Sequence, residues 1–488
     1  MQSSSGSRMH EGSETISKRA TKIPPPTPTH TDSYVKDSTP EAGTGSNNHY
    51  KSKLSPFRYT LRSKCLPLIR AENDILLSVQ TNLRNPWLDL YFAWTANLAS
   101  HTFYVLMLPI PLWFGGGKLA RDLVHVLGLG IFFTGNLKDY LCLPRPRSPP
   151  LHRITMSTYT AQEYGFPSSH SANATAVTLV FFHHIMNTEQ ISGLGKIILY
   201  VILAIYYVSL IFGRIYCGMH GFFDVITGAV LGIVLFLFRT YFGTTFDNLQ
   251  LSTLGWFSPI LIIVGYVSLI HFHSEPVDDC PCFDDSVAFI GVLIGLDTSH
   301  WWFVRSGYLG GEIYAIPFNF AELGILKTCL RVILGIVLVA TWKAISKPII
   351  FTILPPVYKT VGVYLPRRNF EATAFSTKTT RQIRSQSLSN MNRQEKNGDF
   401  IHTHGKRDDI GPENDIDVYE MLDYEKERRK SMDFDEPDIV PNSPSPVLSG
   451  VFRPRYDVEI VGRLIVYAGV ATFATWGFTV ATEFTNLS

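Results

Sequence analysis

The chain has 488 residues, of which 45% are hydrophobic and 17% charged, with a formal net charge of +2 and a mean hydropathy of +0.10. So small a charge, spread over loops and tails, excludes nucleic-acid binding by bulk electrostatics. The near-neutral hydropathy hides a mixture, because polar ends and a polar insert dilute repeated apolar runs near the ~20 residues that cross a bilayer. The expectation is an all-α, polytopic transmembrane helical bundle whose partner is the lipid bilayer.

Residues 1–60 are rich in Ser, Thr, Pro and Gly and contain no apolar run. They cannot bury enough apolar surface to offset the entropy of ordering, so residues 1–71 are expected to be a disordered tail, without a cleaved signal peptide at the extreme N-terminus. Residues 72–98 carry Leu76, Leu77, Leu83, Trp87, Leu90, Tyr91 and Trp94 beside Asp74, Arg84 and Asp89, the pattern of an interfacial or membrane helix. Spans are then expected at about 100–116, 122–142, 167–186, 194–213 and 221–242. Further spans are expected at about 253–271, 286–304, 326–345 and 462–482. Two apolar stretches broken by Gly and Pro, 305–325 and 348–365, read as re-entrant pieces or further crossings.

Residues 366–456 form a second polar, disordered stretch. They contain Arg384-Ser385, Arg428-Arg-Lys-Ser431 and Ser443-Pro-Ser445-Pro, which resemble kinase substrates and would then face the cytosol. Of the six cysteines, Cys65, Cys142, Cys217, Cys280, Cys282 and Cys329, only Cys280-Pro-Cys282 is a close pair. Beside Asp278, Asp279, Asp284 and Asp285 it reads either as a luminal disulfide or as part of an ordinary exposed loop.

Three polar islands interrupt the apolar middle: Lys138-Asp-Tyr-Leu-Cys-Leu-Pro-Arg145-Pro146, Pro167-Ser-Ser-His170 and Arg214-Ile-Tyr-Cys-Gly-Met-His220-Gly-Phe-Phe-Asp224. Taken singly, a Lys or Arg at a span end is a snorkelling anchor. Crossing parity changes that reading. Two spans separate the loop after Lys138 from the loop after Arg214, so all three islands emerge on one membrane face.

His220 and Asp224, four apart at a helix start, share a helix face. A carboxylate that accepts the proton of one ring nitrogen leaves the other as a lone-pair nucleophile. Ser168 suits an N-cap, and the free N–H groups behind it form an anion site, with His170 in the first turn as a proton donor to a leaving oxygen. Lys138, Arg145 and Arg214 supply charge for phosphoryl oxygens. No Asp/Glu/His cluster of metal spacing accompanies them, so no metal or other cofactor is expected.

Lys138-x6-Arg145-Pro146, Pro167-Ser-Ser-His170 and Arg214-x5-His220-x3-Asp224 resemble the three signatures of the type 2 phosphatidic acid phosphatase (PAP2) superfamily, over about residues 90–245. The resemblance implies a PAP2/haloperoxidase-like core at 99–245, with added spans at 246–365 and 457–488. It also implies His220 as the nucleophile of a phosphohistidine, Asp224 as its orienter and His170 as the general acid. Lys138, Arg145, Ser168, Ser169 and Arg214 would then hold phosphate.

Two positions depart from the family pattern: Ser169 replaces the usual Gly, and Gly213 stands where a Ser usually precedes the arginine. The wording around the motifs, with Tyr164-Gly-Phe-Pro-Ser-Ser-His170, is similar to the sphingosine 1-phosphate phosphatase branch. The Cys280–Asp285 segment and the long insert are similar to its fungal dihydrosphingosine 1-phosphate members. That branch implies a sphingoid base phosphate substrate, the endoplasmic reticulum membrane and a luminal site. Alternatives are a lipid phosphotransferase, a broader lipid phosphate phosphatase, or a non-catalytic lipid-binding membrane protein.

Overall fold

The computed structural model describes residues 41–156, 162–278, 280–307, 316, 318–361, 456 and 458–487. Among the described residues there is no β-strand. Six helices there are long and apolar enough to cross a membrane, so this is a multi-pass helical membrane protein. The insert 366–456, apart from Tyr456, lies outside the described residues, as do residues 1–40.

Short amphipathic helices come first: α1 Asn47–Lys53, α2 Pro56–Ala71 and α3 Asn73–Leu83. The expected disordered tail to residue 71 is therefore corrected for its last third. Ser46 and Ser55 cap α1 and α2 by accepting from His49 N and Arg58 N, and long side chains fasten these helices to the bundle. Arg62, 2% exposed, donates to the carbonyls of Cys142 and Gly43. Tyr50 Oη donates to Asp278 at 2.7 Å, and Gln80 Nε2 donates to the carbonyls of His152 and Tyr216 at 2.8 and 2.9 Å. Hydrogen bonds to distant backbone are invisible to a composition argument.

The segment expected as an interfacial helix and a first span at 100–116 is instead one broken path: α4 Pro86–Ala96, α5 His101–Met107 and α6 Pro109–Trp113. Ser100 restarts the helix by capping Phe103 N, and Pro109 and Pro111 keep the last piece short. The path leaves α3 beside Tyr216 and ends where Trp113 Nε1 donates to Ala474 O and Trp113 O accepts from Arg331.

Four helices then alternate in direction: α7 Gly117–Leu141, α8 Ser169–Asn187, α9 Gly193–Tyr216 and α10 Phe222–Asn248. Neither α7 nor α8 is among the six spans by composition, yet α7 is about 37 Å long at ~1.5 Å per residue. Its polar residues are tolerated because neighbouring helices enclose it. The approach of α8 to α10 is set by glycine. A Cβ on Gly228 would stand 2.3 Å from Ser168 O, and one on Gly232 would stand 2.3 Å from Ala172 O, so two small residues one turn apart let the backbones meet.

The remaining helices wrap this group: α11 Ser258–Phe272, α12 Cys282–Ser306, α13 Phe320–Val361, and α14 Val458–Thr472 continued by α15 Phe478–Phe484. The stretch after 348, expected as a re-entrant piece or further crossing, continues α13 to Val361 with Pro348, Pro355 and Pro356 inside it. Cys280 and Cys282 are joined as a disulfide and both are buried, so the pair is not part of an ordinary exposed loop.

Each end of the bundle has a polar cluster. At the end opposite the three islands, Arg121 is fully enclosed and pairs with Asp247 at 2.8 Å and Asp297 at 2.9 Å. It also donates to Gln250 at 2.7 Å. Arg239 pairs with Asp247 at 2.6 Å and Asp122 at 2.7 Å, and Tyr266 Oη donates to Asp297 at 2.8 Å. These contacts tie α7 and α10 to α11 and α12.

Candidate active site

The C-terminal ends of α7 and α9 and the N-terminal ends of α8 and α10 meet at one end of the bundle. Cys142 turns the chain out of α7 with a left-handed backbone (φ 51°). Ser168 caps α8: its Oγ accepts from Ser171 N at 3.3 Å, and its N donates to Asp224 O at 3.1 Å. The other N–H groups of that first turn lie outside the helical ladder at this end of the bundle, as an anion site requires.

Lys138, in the last turn of α7, is 2% exposed. Its Nζ reaches Ser169 Oγ at 3.4 Å and pairs with the carboxylate of Glu163. Arg145 is buried and held at three points: Nε donates to Glu163 O at 3.0 Å, Nη1 to Met219 O at 2.9 Å, and Nη1 also to His220 Nε2 at 3.2 Å. Burial lowers its pKa to about 10, with Glu163 pulling the other way, so the guanidinium stays charged at neutral pH. Arg214, 5% exposed, ends α9, and its carbonyl accepts from Met219 N and His220 N at 3.1 and 3.3 Å. Its Nε has no hydrogen-bond partner, an unspent donor facing a site built for anions.

His220 is 2% exposed. Its Nδ1 lies 2.8 Å from the carbonyl of Gly165 and 3.6 Å from Asp224 Oδ2. A carbonyl only accepts, so Nδ1 carries the proton and Nε2 the lone pair. The expectation that Asp224 accepts the ring proton meets a distance of 3.6 Å, beyond hydrogen-bond range, and Asp224 Oδ2 accepts instead from Gly221 N at 3.0 Å. The carbonyl of Gly165 is the direct orienter, with the buried carboxylate behind it.

Burial, then the charges of Arg145, Lys138, Arg214 and His170, holds the imidazole pKa well below its usual value. His220 is therefore a neutral base at physiological pH. His170 and Ser169 are half-buried in the first turn of α8; His170 is among the groups whose charge acts on His220, and Ser169 meets Lys138.

All eight residues singled out in the sequence thus lie at one end of the bundle. Sequence reasoning missed Glu163 and Gly165. Glu163 sits in a loop among ordinary polar residues, and Gly165 acts through its backbone. Gly213, where the family pattern has Ser, is explained by packing: a Cβ there would stand 3.0 Å from the Phe92 ring of α4. Among the described residues the one His/Cys/Asp/Glu group close enough to hold an ion is Asp139, Cys280 and Cys282, and its two sulfurs are joined as a disulfide.

Four alternating membrane helices that bring a neutral, oriented imidazole to three buried cations define a phosphate-handling site. The chain belongs to the PAP2 superfamily and is a phosphoric monoester hydrolase. The PAP2 superfamily profile matches residues 119–247, from α7 to the end of α10. A dihydrosphingosine 1-phosphate phosphatase of Saccharomyces cerevisiae is 42% identical over 307 residues, covering 63% of this chain and 74% of that one. A dihydrosphingosine 1-phosphate phosphatase of Schizosaccharomyces pombe is 32% identical, covering 86% of this chain and 89% of its own. Human sphingosine-1-phosphate phosphatase 2 is 28% identical over 45% of this chain and 53% of its own. No solved structure matches the chain.

Proposed function

We propose that this protein hydrolyses sphingoid base 1-phosphates through a phosphohistidine on His220, without a metal ion. The observation that carries the reading is the state of His220: Nδ1–H is committed to Gly165 O, so the Nε2 lone pair is left among Lys138, Arg145 and Arg214. Nε2 attacks phosphorus and the bond to the lipid oxygen breaks. That oxygen leaves with a proton from His170. Water, giving its proton back to His170, then attacks the phosphohistidine, releasing phosphate and regenerating the Nε2 lone pair. Ser168, Ser169 and the first N–H groups of α8 join the three cations in stabilising the equatorial oxygens.

Arg145, which now donates to Nε2, would turn its Nη1 to a phosphoryl oxygen as substrate enters. The substrate class is supported by the printed activities of the yeast relatives. A site at the end of membrane helices suits a substrate whose chain remains in the bilayer.

The resemblance to the sphingosine phosphatase branch supports residence in the endoplasmic reticulum membrane with the site facing the lumen. The test is phosphate release by the purified protein from sphinganine 1-phosphate and from phosphatidate, each with and without EDTA. Faster turnover of the sphingoid substrate, unchanged by EDTA, is the expected result. Preference for phosphatidate would overturn the substrate, and loss of activity in EDTA would overturn the metal-free step.

A further inference from the structure

The cation pocket already holds an anion, and it belongs to the protein. The carboxylate of Glu163, 11% exposed, pairs with Lys138 Nζ and stands 3.6 Å from Arg145 Nη2. A carboxylate against the two cations that should grip a phosphate dianion weakens phosphate binding, because like charges a few Å apart in a dry site repel strongly.

Glu163 is also not placed to swing far. Its own carbonyl accepts from Arg145 Nε at 3.0 Å. The residues after it are fixed at both sides: Tyr164 Oη lies 3.2 Å from Asp278 Oδ2 and accepts from Asp278 N at 2.8 Å, and Gly165 N donates to Leu143 O at 2.9 Å. The backbone at Glu163 is therefore fixed beside the pocket, which keeps the carboxylate within side-chain reach of it when phosphate enters.

A phosphate dianion that takes Lys138 and Arg145 draws from Glu163 the two cations its carboxylate now faces, so a cation carried by the substrate itself would be favourable there. A sphingoid base 1-phosphate carries an ammonium on the carbon next to the phosphorylated one, within a few Å of the phosphorus, whereas phosphatidate carries no cation there.

We propose that Glu163 is a specificity-determining residue that receives the substrate's C2 ammonium when the phosphate takes Lys138 and Arg145 from it. This rests on the proposed function and names what selects the substrate. A lipid phosphate without the ammonium brings only negative charge toward Glu163; one with it brings a cation in place of those the phosphate takes. The same short stretch then does two things, since Gly165, two residues on, orients the His220 ring.

The test compares kcat/KM on sphinganine 1-phosphate and on its N-acetyl derivative, which keeps chain and phosphate but loses the ammonium, for the intact protein and for Glu163→Gln and Glu163→Asp. A charge-assisted contact of this kind is worth about 10- to 100-fold. The intact protein should prefer the free amine by about that factor. Glu163→Gln should lose the preference, falling on the amine while holding or gaining on the N-acetyl substrate, and Glu163→Asp should restore part of it. Activity retained on the N-acetyl substrate shows that the variant is folded.

An equal fall on both substrates, or an unchanged ratio, would overturn the assignment and leave Glu163 as a structural partner of Lys138 and Arg145. If the intact protein does not hydrolyse sphinganine 1-phosphate at all, the proposed function fails instead, so the two failures are distinct.

Discussion

At His220 two influences act together: the carbonyl of Gly165 fixes which nitrogen keeps the proton, and burial among cations keeps the ring neutral. A group whose charged form is disfavoured protonates only at lower pH. With histidine labelled in the ring, the His220 nitrogens should therefore show the neutral Nδ1–H form at pH 6, where an exposed imidazole is largely protonated. A His220 signal that titrates near the ordinary value would contradict the electrostatic account. Because Gly165 O holds the ring directly and Asp224 stands at 3.6 Å, Asp224→Asn should reduce kcat with KM little changed, while His220→Ala should abolish turnover. Equal losses in the two variants would mean that the carboxylate does more than support the ring. Gly213→Ser, which restores the residue usual in the family, should lower stability by about 1–3 kcal/mol in chemical unfolding, because its Cβ meets Phe92 at 3.0 Å. The charged members of this site were legible in the sequence because Lys138, Arg145, Arg214, His170, His220 and Asp224 interrupt apolar runs. Glu163 was not, since a loop glutamate has no apolar background to stand out from.

The catalytic geometry depends on where four helix ends stop, and the packing between helices fixes those ends. Gly228 and Gly232 let α10 lie against Ser168 and Ala172 of α8, which brings the Asp224 turn beside the Ser168 cap. Gly228→Leu should force the two apart and reduce both folding yield and activity, by about the 1–3 kcal/mol typical of overpacking or more. Thermal unfolding in detergent would show it. At the opposite end, about 25 Å along α7 from Lys138, Arg121 holds Asp247 and Asp297. Arg121→Met leaves the enclosed Asp297 without its guanidinium and Asp247 with Arg239 alone, at a cost of about 3–5 kcal/mol, and unaltered thermal stability would contradict the network's role. Helix positions in α9 to α12 were readable from apolar run length, within about six residues at their ends. The broken path from Pro86 to Trp113 was not, because its pieces are held by tertiary contacts that carry no periodicity.

For the molecule as a whole, the structure ties several faces together. Helices α1 to α3 contact the loop after α7, and the acidic loop meets the site through Asp278 and Tyr164. Both flanks of the insert lie at this same end: Tyr358 Oη donates to Tyr456 O at 3.1 Å, and Tyr456 Oη lies 3.0 Å from His271 at the end of α11. Residues 41–85, the site and the insert's flanks therefore share one face. A luminal site and a cytosolic, kinase-accessible insert cannot both hold. The basic residues Lys51, Lys53, Arg58, Arg62, Lys64 and Arg70 favour the cytosolic side by the positive-inside rule, against the luminal placement that the resemblance supports. Single cysteines placed at position 48 and in the insert, on a background free of exposed thiols, should label together in sealed microsomes or be protected together. Labelling of one without the other would break the shared face. Sequence parity brought the three islands to one face, but it could not place α1 to α3, whose attachment runs through backbone carbonyls. The most direct measurement of the central claim is to mix the whole protein with sphinganine 1-[32P]phosphate in EDTA, quench within milliseconds and analyse the labelled chain. An acid-labile, alkali-stable label mapping to the peptide with His220, and absent from His220→Ala, is the expected result. Release of labelled phosphate by the His220→Ala protein would contradict it.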